Sequence, residues 1–456
     1  MRKSAMFTAL LTLCLLTLGC NREESPAPEQ LEQPPTQSSD QPESKSEPSW
    51  DEDVVPFDPA GFTQVQMLED YDYLWSILEE NCALLDGLER EKELNLDEIR
   101  QKGRKKIEAL QDGDVEGFEA GISYLGGYFR GVGHLSPVSA LTYSTVMERG
   151  AYESGTQKEV YHAPQVKAYY QWATAQPKFV SQKKSQEEKI PTSADSAESS
   201  GAIEISSQNG TPILRIKTFQ FGKNDQKIVI DQLQNFCLDN LDQQNLIIDI
   251  RGNGGGSTEV WEQGFQPLFA GKVIEERLVA AWKDTSLNRE MWDGWPENEP
   301  DVSVYPIEQL GELFSDPSGL KMEDLEQAEM AGQRVTRFDY TDLKNPNGGV
   351  FSGHIWLLID RSNYSAAEAL IQRLKNCDFV TMVGNQTKGG GMIFAAPAKI
   401  PFILPNSGML YQYVPFYCMN EDGSCNEFYG SLPDIDVGSE DALEVCLREI
   451  ERLGDK

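Results

Sequence analysis

The stretch that most limits what this chain can become runs from His354 to Gly391. Ile355 to Ile359 is an apolar run bounded by charge, the pattern of a strand covered on both faces. Asp360 to Tyr364 is a short polar turn. From Ala366 to Lys375 the spacing predicts a helix: Ala366, Ala369, Leu370 and Leu374 share a face, and Arg373 and Lys375 lie near its C-terminal end, where cations suit the helix dipole. Phe379 to Val383 reads as a second buried strand, closed by Gly384 and followed by Gly389, Gly390 and Gly391. Ser365 therefore stands at a helix entrance. Free backbone N–H groups and a positive dipole end gather there, a setting that suits an oxygen nucleophile and the oxyanion it creates. The same residues also read as a capping box, Ser365 with Glu368, which would make the serine purely structural.

The rest of the chain supplies a frame for this unit. Ala202 to Ser206 and Ile213 to Thr218 are short strands separated by Asn209-Gly210, a strong hairpin signal. A helix from about Asp225 to Leu238 leads to the buried run Leu246 to Ile250, and Arg251-Gly252-Asn253-Gly254-Gly255-Gly256 follows at once. Strands alternating with helices predict an α/β domain with a largely parallel sheet. The glycine run exceeds what a tight turn needs and lets backbone N–H groups approach an anion closely, but it lacks the order of a nucleotide-binding loop. Upstream, Met67, Leu68, Tyr71, Leu74, Trp75 and Leu78 recur at helical spacing; a second helix starts near Asn95 and a third covers about Val115 to Leu125. These helices end in a glycine-rich loop carrying His134, one of three histidines.

The domain organisation expected from these patterns is a leader over 1–20, a disordered tether over 21–57 and a helical N-terminal domain over 58–135. A connecting segment over 136–201 follows, polar and mobile from Gln176 to Gly201, and then a catalytic domain over 202–456 with a polar insertion at about 285–349. The leader has Arg2 and Lys3, an apolar run from Ala5 to Leu18, and the ending Leu16-Thr17-Leu18-Gly19-Cys20. That ending resembles a bacterial lipobox; a cysteine directly after a small residue favours an acylated Cys20 over an ordinary signal peptide. The Pro, Glu, Gln and Ser of the next 36 or so residues cannot bury enough apolar surface to become ordered. The expected address is the outer face of the cell membrane, held there by lipid. No run after the leader is long and apolar enough to span a bilayer.

A formal charge of −33 argues against nucleic acid or an anionic membrane surface as a partner. Setting aside Cys14 and Cys20, the remaining six of eight cysteines show no close pair at metal-ligand spacing, so no metal site is expected. Cys418 and Cys425 flank the turn Met419 to Ser424 and are placed for a hairpin disulfide in an exported protein.

Leu246 to Gly256 (LIIDIRGNGGG) resembles the signature of the tail-specific, or C-terminal processing, serine peptidases. Tyr364-Ser365-Ala366-Ala367-Glu368 resembles the nucleophile motif of that family, and Val383 to Gly390 its Val-Gly-x-x-Thr-x-Gly segment. Three motifs in the family's order, within about Ala202 to Val437, make the likeness specific. It implies a crotonase-like β-β-α spiral with the N-terminal helices beside it, a peptide or unfolded-protein substrate, and neither metal nor organic cofactor. In the processing-peptidase branch a lysine serves as base, but that position here is Gly390, and Lys388 two residues earlier reads as a surface or substrate-contacting residue. In the tricorn-core branch the base is a histidine oriented by a glutamate shortly before Gly-x-x-Pro-Asp. His134, and Glu427 before Gly430-Ser431-Leu432-Pro433-Asp434, fit that pattern; Gly133 stands where the branch has a serine.

The resemblance thus implies Ser365 as nucleophile, His134 as general base and Glu427 as acceptor for the other imidazole nitrogen. It implies an oxyanion hole from the N–H of Gly254 or Gly255 with that of Ala366. His162 lies in a polar segment without a flanking motif, and a strand separates His354 from the helix entrance, so both are set aside as bases. Two other readings fit less of the pattern: a peptidase-like lipoprotein that binds peptides or a hydrophobic ligand without cleaving, and a wall-associated lipoprotein whose glycine loops are structural.

Overall fold

The runs Leu246–Ile250, Ile355–Ile359 and Phe379–Val383 become neighbouring parallel strands, Asn245–Asp249, His354–Ile359 and Val380–Gly384. Leu246 lies opposite Ile355, and Ile355 opposite Val380. Thr211–Ile216 extends this sheet in parallel on one side and Ile435–Asp436 on the other. Ile203–Gln208 adds an antiparallel edge. Its hairpin is turned by Asn209 and Gly210, both at positive φ, as a type I′ turn requires. The computed structural model describes residues 54–129, 131–148, 150, 155–181, 201–291, 299–395 and 398–454. Cys20, nearly all of the proposed tether and most of the polar segment Gln176–Gly201 lie outside these residues.

Successive side chains of a strand point to opposite faces, and here both faces are covered. Leu246, Ile248, Ile355, Leu357 and Ile359 pack with Val229 and Leu233 of the helix Lys223–Asp239 and Leu370 of the helix Ala366–Leu374. Ile247, Trp356 and Leu358 pack on the other side with Val445, Cys446 and Leu447 of the helix Ala442–Gly454. Double coverage is why these strands read as continuous apolar runs.

The N-terminal helices form as the periodicity predicts. Gln64–Asn81 is capped by a Thr63–Gln66 capping box and buries Met67, Tyr71, Leu74, Trp75 and Leu78. Asn95 caps Leu96–Glu108 by accepting the Glu98 N–H at 2.7 Å. Their apolar faces are continuous with two further sheets, one of Ser136–Pro137, Leu410–Tyr413 and Ile400–Ile403, the other of Tyr417–Met419, Val273–Trp282, Met330–Asp339 and Val302–Pro306. The segment 285–349, expected to be an insertion, therefore supplies two strands of a four-stranded sheet. Its sequence reads as polar because Met330–Asp339 is covered only in part along its length. Cys418 and Cys425 are buried free thiols rather than a disulfide, and the Cys418 thiol donates to the Met392 carbonyl at 3.7 Å. Among the described residues no helix is long and apolar enough to cross a membrane.

Two features of this fold place the site. The strands Asn245–Asp249 and His354–Ile359 run in register, so the loops at 250–256 and 360–365 leave the same end of the sheet side by side. The glycine-rich loop before Ser136 is stitched to the Leu410–Tyr413 strand: Val414 N donates to Gly133 O at 2.8 Å and Val138 N to Leu410 O at 2.8 Å. That pairing carries His134 across some 230 residues of sequence to the serine.

Candidate active site

Ser365 precedes the helix Ala366–Leu374 with φ +56° and ψ −119°, and its side chain makes no capping hydrogen bond. A non-glycine residue in this region is strained by about 1–3 kcal/mol, and the surroundings must hold it there. The capping-box reading therefore fails. Glu368, its supposed partner, is fully buried and turned away. Its Oε1 accepts from Asn426 Nδ2 at 2.8 Å and Ser431 Oγ at 2.5 Å, and its Oε2 from Thr387 Oγ1 at 2.6 Å. Glu368 thus ties the helix that follows Ser365 to the two loops that flank it. Ser365 N donates to Gly389 O at 3.2 Å, and Gly391 packs against the Ser365 carbonyl with no room for a side chain.

Freed from capping, the Ser365 hydroxyl lies 3.3 Å from His134 Nε2. His134 itself is at φ +50°, between Gly133 at φ +57° and the Ser136–Pro137 strand, and its ring stacks on Tyr364 with centroids 5.0 Å apart. Burial holds its pKa far below the ordinary value, down to about 3, with the charges of Lys399 and Lys388 adding to the effect. The imidazole is neutral at physiological pH, as a base must be. Its Nδ1 is buried and has no hydrogen-bond partner among the described residues. His354 is elsewhere, its Nε2 2.8 Å from Thr381 Oγ1 at the far end of its strand.

Glu427 is buried close to this loop but does not meet the histidine ring as expected. Its Oε2 accepts the Gly133 N–H at 2.8 Å. The reason is local: the short helix Asn426–Tyr429 presents the carboxyl to the backbone one residue before His134. Burial pushes the Glu427 pKa up to about 7; the nearby Glu368 carboxylate raises it further, while the Gly133 N–H, Lys399 and Lys388 oppose. Lys399, which the motifs gave no reason to single out, is electrostatically close to both His134 and Glu427.

The expected oxyanion donors divide. Gly255 N–H is already committed, donating to Asn253 Oδ1 at 2.9 Å, so it leaves the set. Gly255 acts by its shape: at φ +100°, a Cβ there would sit 2.6 Å from Tyr364 O and 3.0 Å from Ser365 Cβ, so only glycine lets the loop close on the serine. Gly254 N–H and Ala366 N–H have no acceptor among the described residues. Gly254 is exposed to the cleft, and Ala366 is the first residue of its helix. Two uncommitted donors beside a hydroxyl and a neutral imidazole can stabilise a tetrahedral oxyanion.

Lys388 does not reach the hydroxyl by any hydrogen bond among the described residues; its ammonium lies 4.8 Å from the centre of the Tyr364 ring and its stem packs on Gly131. The lysine position of the processing branch cannot be filled here. Gly390 is at φ +72°, and a Cβ would collide with the Tyr364 ring. Among the described residues no group of side chains could hold a metal ion.

Two outcomes follow from this geometry. Gly390→Lys should lower the melting temperature by about 1–2 °C for the left-handed side chain alone, which costs about 1–2 kcal/mol, and by more once the clash is added, and it should not raise the rate of cleavage. A faster variant would mean that the loop can accept a second base. For Glu427, the folded carboxyl holds its proton more tightly than the ordinary value of 4.5. Its contribution to stability is complete below about pH 4.5 and is lost as pH rises through about 7. Thermal melts of Glu427→Gln should therefore match the parent at the acid end and exceed it by roughly 1–3 kcal/mol at pH 8. A variant weaker than the parent at pH 8 would show that the ionised carboxylate stabilises the fold.

Residues 211–437 match the model of peptidase family S41. No curated protein matches the chain. Among solved structures, a candidate peptidase from Parabacteroides merdae is 14% identical, covering 85% of this chain and 96% of its own, with a TM-score of 0.45. A lipoprotein from Streptococcus agalactiae is 13% identical over 85% of this chain and 96% of its own, with a TM-score of 0.42. Mature CPAF complexed with lactacystin is 13% identical over 82% of this chain and 94% of its own, with a TM-score of 0.44. The assignment rests on the family match, which spans all three sequence motifs and the helix that carries Ser365: the chain belongs to peptidase family S41 and is a serine-type peptidase.

Proposed function

We propose that this protein is a lipid-anchored, extracytoplasmic endopeptidase of the tricorn-core type, working through Ser365, His134 and Glu427. The observation that carries the reading is the 3.3 Å approach of His134 Nε2 to the hydroxyl of a strained Ser365 that makes no capping bond and no other side-chain hydrogen bond among the described residues. The neutral His134 Nε2 takes the Oγ proton as Oγ bonds to the peptide carbonyl carbon. The carbonyl oxygen, now an oxyanion, is held by Gly254 N–H and Ala366 N–H. His134 then delivers the proton to the leaving amine as the C–N bond breaks, and water repeats the sequence on the acyl-serine. Glu427 is a positioning residue in this scheme: through Gly133 N–H it holds the loop that sets the imidazole on the serine. Gly390 at the lysine position and His134 at the serine support the tricorn-core branch, and the strand–helix units around Ser365 suit a crotonase-like spiral with the N-terminal helices as an accessory layer. Anchoring through Cys20 at the outer face of a bacterial membrane follows from the leader and the polar stretch after it.

A second reading, a peptidase-like protein that binds peptides or a hydrophobic ligand without cleaving them, draws on one feature: among the described residues His134 Nδ1 has no acceptor that would stabilise an imidazolium. The full chain in detergent separates the two. Cleavage of an unfolded protein and of a mixed peptide library, with labelling of Ser365 by a fluorophosphonate, is expected. Ser365→Ala and His134→Ala should each reduce cleavage by at least about 10³-fold, while Lys388→Ala should change it by less than about tenfold. Dependence on Lys388 in place of His134 would reassign the base. Neither cleavage nor labelling by the parent would establish the binding protein.

A further inference from the structure

Asn363 is fully buried two residues before the nucleophile, and none of its polar atoms faces substrate. Its carboxamide oxygen accepts Asp360 N–H at 2.7 Å, which fixes the direction of the amide. Its Nδ2 donates to Ile250 O at 2.6 Å and to Asn253 O at 3.2 Å. Those two carbonyls are the first and last of a turn in which Asn253 N also bonds Ile250 O at 3.0 Å. One side chain from the serine loop therefore grips both ends of the turn that precedes Gly254.

The consequence lies in the peptide bond itself. A trans peptide is planar, with its C=O and N–H pointing in opposite directions. Once the Asn253 carbonyl is drawn inward to Asn363, the N–H of the same peptide unit, that of Gly254, must point outward to the cleft. A 180° flip would bury that N–H against the Asn363 amide and leave two buried donors facing each other without an acceptor, at a cost of about 1–3 kcal/mol. Asn253 completes the arrangement: its Nδ2 donates to Ile216 O at 3.1 Å while its Oδ1 takes the neighbouring Gly255 N–H, so of the Gly254 and Gly255 donors that of Gly254 is the one without an acceptor among the described residues. We infer that Asn363 is the positioning residue of the oxyanion hole, setting the orientation of the Asn253–Gly254 peptide so that Gly254 N–H meets the developing oxyanion. Because Asn363 and Ser365 share one loop, a single element presents the nucleophile and aims the donor opposite it.

This rests on the peptidase reading above, and the test keeps the two apart. The full chain in detergent is assayed with a peptide that the parent cleaves and with the C-terminal aldehyde of that peptide, whose serine adduct places an oxygen in the hole. Asn363→Asp removes both donors at equal size, and Asn363→Ser is the second route should the first not melt cooperatively. Expected are a fall in kcat of about 10²–10³-fold, the range for loss of one oxyanion donor, and an aldehyde inhibition constant raised by a similar factor. Binding of the uncleaved peptide, measured with each variant on a Ser365→Ala background, should stay within about threefold. A merely structural role would instead weaken peptide and aldehyde binding together, and that result overturns the inference. So does a parent-like kcat in a folded variant, with the peptidase reading intact. A parent that neither cleaves nor labels overturns both.

Discussion

Everything chemical in this molecule depends on two parallel strands ending level with each other. Asn245–Asp249 and His354–Ile359 pair residue for residue, so the glycine run and the serine turn emerge side by side. Arg251 is fixed to its own strand end, its guanidinium 2.8 Å from Asp249, and Gly252 N–H reaches across to Asp360 at 3.1 Å. Backbone then approaches backbone at a distance that only Gly255 permits. Adjacent strand ends in an α/β sheet create a natural crevice for ligands, and here they bring together Ser365, the His134 imidazole and the N–H groups of Gly254 and Ala366, which have no acceptor among the described residues.

The site is rigid because its support is polar, buried and fully used. Glu368, Asn426, Thr387 and Ser431 form one hydrogen-bonded cluster beneath the helix that follows Ser365. Asn426 also accepts Gly390 N–H at 2.9 Å, so the glycine loop beside Ser365 hangs from the same cluster that positions Glu427. A buried network whose every member is satisfied specifies one arrangement, because any alternative leaves a polar group unpaired in a low dielectric. The strain at Ser365 persists against this background.

Electrostatics then set the protonation states. His134 is kept neutral by burial and by two lysines, while Glu427 resists ionisation for the same reason of burial. At mildly acidic pH both groups sit in the uncharged form, beside the positive charges of Lys399 and Lys388. The imidazole Nδ1 has no partner among the described residues. Glu427 bonding Gly133 rather than the ring makes the histidine loop, and not the tautomer, its immediate object.

Much of this was legible in the residues. Three apolar runs without alternation meant a sheet covered on both sides; Asn209-Gly210 meant a hairpin; the glycine run stood out by its local backbone chemistry, while Ser365 and the loop histidine were singled out by the resemblance to a family of known motifs. What local sequence could not decide was partnership. Ser365-Ala366-Ala367-Glu368 spells a capping box, yet tertiary contacts put Ser365 at positive φ and turn Glu368 to Asn426, far along the chain. Gly254 and Gly255 are indistinguishable by type, and only the side chain of Asn253 commits one donor and spares the other. The segment 285–349 reads as an insertion because half-covered strands look polar, and only pairing with Val273–Trp282 makes it sheet. Sequence alone determined which residues could do chemistry, because propensity and glycine freedom act over a few residues. The tertiary structure alone decided which donors and acceptors were left over to do it, because that is settled by whichever distant group arrives within hydrogen-bond reach.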